Sequence, residues 1–219
     1  MRHPHGLRAA AAAGLPAIGT SMEGGFFAGA ISHTANGVPT HLLIVAPAAT
    51  GATGTGYTLT TIKQWKTTFT TTVGTTSTYN GAANTAAIVT AGIALHPAAQ
   101  FCTGLSIGGY TDWYLPARDE LEIAYYNLKP TTNSNDTSYG INAYSVPARG
   151  SNYTAGTPAQ TSVAAFQSGG AEAFVAAFHW ASTEFSSTNA WLPEFNNGLQ
   201  DDDNKVNSYR VRAFRKVAV

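Results

Sequence analysis

Apolar positions fall into short blocks separated by polar, glycine-bearing stretches. Residues 26–31 and 41–46 are apolar runs with Asn36 and Gly37 between them, a pairing that predicts a β-hairpin. The second run, His-Leu-Leu-Ile-Val-Ala, stops at Pro47 and reads as a buried strand. Residues 80–104 read as short helical pieces. Asn84 and Thr85 stand where they could cap residues 86–89, and Pro97 suits the first turn of a helix that Gly104 ends. Leu121, Ala124, Tyr125 and Leu128 recur at helical spacing over 117–128, and Lys129 with Pro130 stops that helix. Asp119, Glu120 and Glu122 lie in its first turns, where the helix dipole favours negative charge, and are expected to be solvated. Residues 131–160 read as a long loop carrying a short strand near 143–146. Apolar character returns at Phe174, Phe178 and Trp180. Residues 184–209 read as a polar loop, and Val211, Val217 and Val219 mark a final strand.

The Thr-rich stretch 50–78 has fourteen Thr among 29 residues and little helical period, so it reads as extended, β-branched surface. Trp65 is its expected anchor. The expected fold class is α+β, with short antiparallel strands, two helices and long loops. Residues 1–22 form an N-terminal arm and 23–219 the compact domain. Arg2, Arg8 and residues 9–13 imitate a signal peptide, but Gly14, Pro16 and Gly19 break the apolar stretch.

Charge removes several function classes. Lys+Arg and Asp+Glu both number 12, which gives no electrostatic ground for capturing nucleic acid or an anionic membrane. Charged residues are only 11%, so Thr, Ser, Asn and Gly must carry solubility, as suits a protein on a virion or outside a cell. No apolar run reaches the length of a membrane-spanning helix. Cys102 stands alone, which excludes an intrachain disulfide and a thiolate cluster. The six His, among them His33, His41, His96 and His179, lack metal-ligand spacing. No nucleophile elbow, P-loop or dinucleotide fingerprint is present. The expectation is therefore a binding protein and not an enzyme, with no catalytic residue and no cofactor. Asp201, Asp202, Asp203 and Asn204 carry oxygens of the kind calcium takes, which makes calcium the one ion worth weighing.

An ordered set of motifs carries a resemblance. Residues 108–116 (Gly-Gly-Tyr-Thr-Asp-Trp-Tyr-Leu-Pro) are followed by Asp119, Glu120 and Leu121, then by 180–184 (Trp-Ala-Ser-Thr-Glu). Ala190 and Trp191, 195–198 (Phe-Asn-Asn-Gly) and 210–212 (Arg-Val-Arg) complete the set. Together they resemble the Lcl C-terminal-like domain family, also called DUF1566, over roughly 80–219. The resemblance implies a C-type-lectin-like fold of the kind common in phage tail and fibre proteins. The family usually has Arg at the position of Tyr114, Thr or Ser at that of Ala117 and Ser at that of Ala181.

Residues 185–209 also resemble the variable region of proteins diversified by diversity-generating retroelements, in which template adenines are misread and Asn codons scatter. Asn189, Asn196, Asn197, Asn204 and Asn207 remain. Phe185, Ser186, Thr188, Leu192, Leu199, Asp201, Asp202, Asp203, Val206 and Tyr209 stand where further Asn would be expected. Glu194 is not reachable by that route. The resemblance implies a ligand-binding surface made by Phe185, Ser186, Thr188, Asn189, Leu192, Glu194, Leu199, Asp201, Asp202, Asp203, Val206 and Tyr209. Trp191, Phe195, Gly198, Gln200 and Lys205 would be its fixed support.

The function this implies is a phage tail-fibre or tail-tip receptor binder located on the virion. Its partners would be a host-cell surface protein or glycan and other virion proteins docked through the arm. A homotrimer is expected, with neither nucleic acid nor membrane insertion. The alternatives are a structural decoration or assembly protein of the virion and a bacterial cell-surface adhesin.

Overall fold

The computed structural model describes residues 14–53 and 62–219. Most of the N-terminal arm and part of the Thr-rich stretch lie outside the described residues. The central sheet is antiparallel. Strand β1 (Ser21–Met22) pairs with β2 (Gly25–Ile31), β2 with β3 (His41–Val45), and β3 with the last strand, β9 (Phe214–Ala218). Strand β5 (Ser145–Val146) adds to the other edge of β2 near Ile31. The hairpin expected from Asn36 and Gly37 is present, and Gly37 takes the left-handed conformation (φ 76°) that the turn needs. The sheet starts before residue 23, and Ile18 and Met22 already pack on the core, so the folded body reaches into the stretch read as an arm.

Strand β3 is apolar from Leu42 to Val45 because both of its faces are covered there. Ile44, with Phe27 and Ala30 of β2, joins a cluster containing Trp65, Ile88, Trp113 and Trp180. Leu43 and Val45, with Ala28 and Ile31, join the opposite cluster, which contains Leu121, Tyr125, Leu128 and Phe195. Each of the buried Leu, Ile, Val and Phe side chains contributes roughly 1.5–3 kcal/mol by leaving water. Gly29 (φ 138°) sits at a bulge where a Cβ would run into Ile123 and Asn127, so its missing side chain lets the helix above close on β2.

Four α-helical segments are present among the described residues. Helix α1 (Ala48–Gly51) is a single turn. Helix α2 (Gly81–Gly92) is longer than the pieces expected. Its cap is Asn80, whose Oδ1 accepts from the Ala83 amide at 3.1 Å. Asn84 and Thr85 are interior residues, buried against Ser77, Ser182 and Leu115, which overturns the expectation that they cap the helix. Helix α3 (Pro97–Thr103) opens with Pro97 and ends at Gly104, as expected. Helix α4 (Arg118–Leu128) buries Leu121, Ala124, Tyr125 and Leu128 on the sheet. No single helix among the described residues is long and apolar enough to cross a membrane.

The first turn of α4 corrects another expectation. Asp119, Glu120 and Glu122 are buried. Other segments fold over this helix end, some accepting from its free amides and others donating to its carboxylates. Thr183 Oγ1 accepts from the Arg118 amide and Thr78 O from the Asp119 amide. Glu120 accepts from the amides of Ala117 (2.8 Å) and Gly81 (3.2 Å) and from the Tyr114 hydroxyl (3.0 Å). Burial lifts its pKa to about 7. Glu122 meets Arg149, the Tyr153 hydroxyl and Asn142. Burial raises its pKa as well.

Ala117 is the N-cap of α4 and has no side-chain oxygen with which to accept, so only the Glu120 half of a capping box exists. Replacing Ala117→Ser supplies the missing acceptor. It should raise unfolding stability by about 1 kcal/mol, measured as a higher urea midpoint at unchanged slope.

Candidate ligand-binding surface

The segment read as a polar loop is a second, smaller hairpin. Strand β6 (Asn189–Pro193) pairs with β7 (Gln200–Asn204), with Trp191 opposite Asp202. On its other side β6 is held by the extended segment 178–184. His179 N donates to Pro193 O (3.0 Å), Ala181 N to Trp191 O (2.9 Å) and Trp191 N to Thr183 O (3.0 Å). So β6 is an inner strand and β7 the outer one. A short β8 (Ser208–Tyr209) then pairs with β4 (Lys63–Gln64) and carries the chain into Arg210 and the central sheet.

Side chains alternate across β6 and β7. Ala190 and Leu192 face inward, and Leu192 is only 2% exposed, inside the Trp180 cluster. That overturns its assignment to the binding surface. The same alternation turns Trp191 outward, where it is half-buried and no mere support. Its ring takes the edge of Phe185 (centroids 5.2 Å apart) and the Arg118 guanidinium at 4.9 Å. Asn189 donates to Asp202 beside it at 2.7 Å. Phe185 is 53% exposed. Thr188 is exposed as well, and Ser186 shapes the turn by accepting from the amides of Thr188 and Asn189. Arg118 was not foreseen as part of this patch. It comes from α4, far away in sequence, and only its place at the first helical position hinted that it lies near a surface.

The other expected positions do not join this patch. Asp201 and Asp203 point to the opposite side of β7 by register. Asp203 accepts from the Tyr209 hydroxyl (2.5 Å) and from Asn207 (2.8 Å), and these hydrogen bonds lower its pKa against the raising effect of burial. Val206 gives its carbonyl to Gln64 Nε2 at 2.6 Å. Glu194 and Leu199 flank the β6–β7 turn, at the far end of the hairpin from Phe185. There Phe195 stacks on Phe174 at 4.0 Å, and a Cβ at Gly198 (φ 80°) would strike Tyr125. The acidic run does not gather ligands around a point. Among the described residues no group of three His, Cys, Asp or Glu could hold a metal ion. On an outer strand, charged side chains are also the ordinary guard against edge-to-edge pairing.

The base of the surface is a buried ion pair. Lys205 Nζ donates to Glu184 Oε1 (2.8 Å), Thr70 O (3.2 Å) and Ser187 O (3.0 Å), and lies 4.9 Å from the centre of the Trp65 ring. The Lys205 side chain is 0% exposed and that of Glu184 4%. Glu184 Oε2 accepts from the Thr72 amide (2.7 Å) and the Thr75 hydroxyl (2.9 Å). Lys66 donates to Thr70 O, Thr71 O and Thr72 Oγ1 from the side. Burial lowers the pKa of both lysines. Trp65, the expected anchor, donates from Nε1 to Ala181 O at 2.8 Å.

Two measurements follow from this packing. Lys205→Met should cost about 3–5 kcal/mol because it strands a buried carboxylate, and adding Glu184→Leu should recover most of that loss in denaturant titrations. His179 lies under the turn, donates from Nδ1 to Ala177 O at 2.9 Å and packs on Phe195. Burial holds its pKa down at about 3, below the ordinary 6.5. A group depressed in the folded state contributes stability above its unfolded pKa and loses it as pH falls. Stability should therefore decline from pH 6.5 toward 3, and less steeply in His179→Gln, as read from urea midpoints at each pH.

No curated protein matches this sequence. Residues 54–215 match the Lcl C-terminal domain, most of the chain and every element from β4 into β9. The chain belongs to the Lcl C-terminal domain family.

Proposed function

We propose that this protein is a ligand-binding component of a phage virion, a tail-fibre or tail-tip receptor binder, on a C-type-lectin-like scaffold. One observation carries the reading. Phe185, Thr188, Asn189, Trp191 and Asp202 present side chains to solvent from a backbone that is hydrogen-bonded on both sides of β6 and pinned beneath by Lys205 and Glu184. Side chains on such a support can change without moving the chain, which is what a diversified surface requires. An aromatic pair flanked by a guanidinium, a carboxylate and amides is also the mixture that adaptable paratopes use. The resemblance of 185–209 to retroelement-diversified regions agrees with this use. The scaffold reading is supported by β3 and β9, which lie side by side while the whole binding region is an excursion between them. The partner in this reading is a host-surface protein or glycan. A repeated display in an oligomer would add avidity to a weak single site.

The test replaces Phe185, Thr188, Asn189 and Asp202 by the residues of a differently targeted relative, with Leu192, Glu184 and Lys205 retained. Binding to a panel of host envelopes should switch while the thermal midpoint stays unchanged. Unaltered binding, or unfolding of the graft, overturns the proposal.

A further inference from the structure

A cavity of about 210 Å³ opens between the 170–175 segment and α1 with the residues that follow it. His179 and Arg212 border it, and they are only 4% and 2% exposed. One ring touches both. The centre of Phe174 is 5.1 Å from the Arg212 guanidinium carbon and 5.6 Å from the centre of the imidazole. His179 carries its proton on Nδ1, which donates to Ala177 O, so Nε2 is a bare acceptor. Burial keeps the ring uncharged. Nothing among the described residues donates to Nε2, and the atom is not sealed in protein, so it opens on the cavity that the ring borders. Arg212 offers the opposite. Its Nε donates to Ala46 O (2.6 Å), Nη2 to Glu172 Oε2 (3.0 Å) and Nη1 to Glu172 O (3.4 Å). Each terminal nitrogen has two N–H groups and one acceptor, so each keeps an N–H to give. Thr53, also on the cavity, accepts from the Val211 amide at 2.9 Å and has its hydroxyl proton to give.

We propose that this cavity binds a secondary acetamide, the group borne by N-acetylated sugars and by acylated peptides. The cavity wants one donor, for His179 Nε2, and offers donors from Arg212 and Thr53. An amide supplies one N–H and a carbonyl oxygen with two lone pairs, on opposite sides of a rigid plane. Charge points the same way. Glu172 offsets the guanidinium and the imidazole is neutral, so a free carboxylate or ammonium would lose its water without a partner of opposite charge. The remaining wall is apolar, with Ala48, Ala52, Phe174 and Val175, and it receives the methyl. A hydroxyl has the same hydrogen-bonding set on one atom but nothing for that wall. The space holds several waters, and so has room for the amide and part of the ring or chain that carries it. This site goes beyond the receptor-binding reading and does not rest on it, since Phe185, Thr188, Trp191 and Asp202 do not border the cavity.

Nuclear magnetic resonance on the full chain labelled with nitrogen-15 tests it. N-acetylglucosamine, N-acetylglycinamide and glucose are titrated separately while the His179 Nε2 resonance is followed. At least one of the two acetamides should shift that resonance saturably, and glucose should leave it in place. Saturation by N-acetylglucosamine alone assigns the site to a sugar, and saturation by N-acetylglycinamide alone assigns it to an acylated peptide. Ala52→Leu fills the space from one side and should weaken binding by roughly tenfold or more. Ala173→Leu fills it from the other side and serves should the first variant not fold. The proposal is overturned if neither acetamide moves the resonance at its solubility limit, if glucose moves it equally, or if a folded leucine variant binds as the native chain does. No host envelope enters this assay, so a failed host-binding experiment leaves its result untouched.

Discussion

Lys205 and Glu184 tie together, through buried side chains, parts of the chain that are far apart in sequence. The lysine follows β7, the carboxylate precedes β6, and their shell is completed by the carbonyls of Thr70 and Ser187, the Thr72 amide and the Thr75 hydroxyl. A pair removed this far from water is no cheap source of stability, because desolvating both ions offsets most of their attraction. Its effect is selectivity of arrangement. An ammonium in this place satisfies its donors only when the Thr-rich loop, the 184–188 turn and the end of β7 are all in position. The Thr-rich stretch has little apolar content with which to fix itself, so Lys66, Lys205 and Glu184 fix it through its backbone.

The parts of the fold that were legible in the sequence are those written in local chemistry. The 26–46 hairpin, α3 and α4 show their period and their stops within a few residues, and Trp65 announces itself as the one tryptophan in a Thr-rich run. What was not legible depends on partners distant in the chain. Asp119, Glu120 and Glu122 look like a solvated helix start because nothing near them shows that Tyr114, Gly81, Asn142, Arg149 and Tyr153 will close over them. Asn84 and Thr85 look like caps because side-chain oxygens serve caps and buried bonds equally well. The binding region was misread differently. Ala190, Trp191 and Leu192 are three apolar residues in a row, so the sequence does not say which face of the strand is buried, and Leu192 was placed outside and Trp191 within. For Arg118 the sequence hinted only at a place near the surface, not at its partner, since its contact with Trp191 joins α4 to β6.

The departure at Tyr114 has a physical reading in the same terms. An Arg there would give Glu120 a cationic neighbour. A tyrosine gives it a hydroxyl, and the carboxyl, also held by two amides, keeps its proton to near-neutral pH. One buried charge is thereby exchanged for a group that need not be charged, in a molecule already poor in ions.

The path of the strands has a mechanical meaning. Strands β2 and β9 run in the same direction on either side of β3, and the chain enters β2 at the Val45 end of the sheet and leaves β9 at the His41 end. A pull on the ends of β2 and β9, once the two-residue β1 has given way, slides each of these strands along β3. The interstrand bonds are then loaded together and do not open one at a time. A domain wired like this resists being drawn out lengthwise far better than one whose terminal strands unzip.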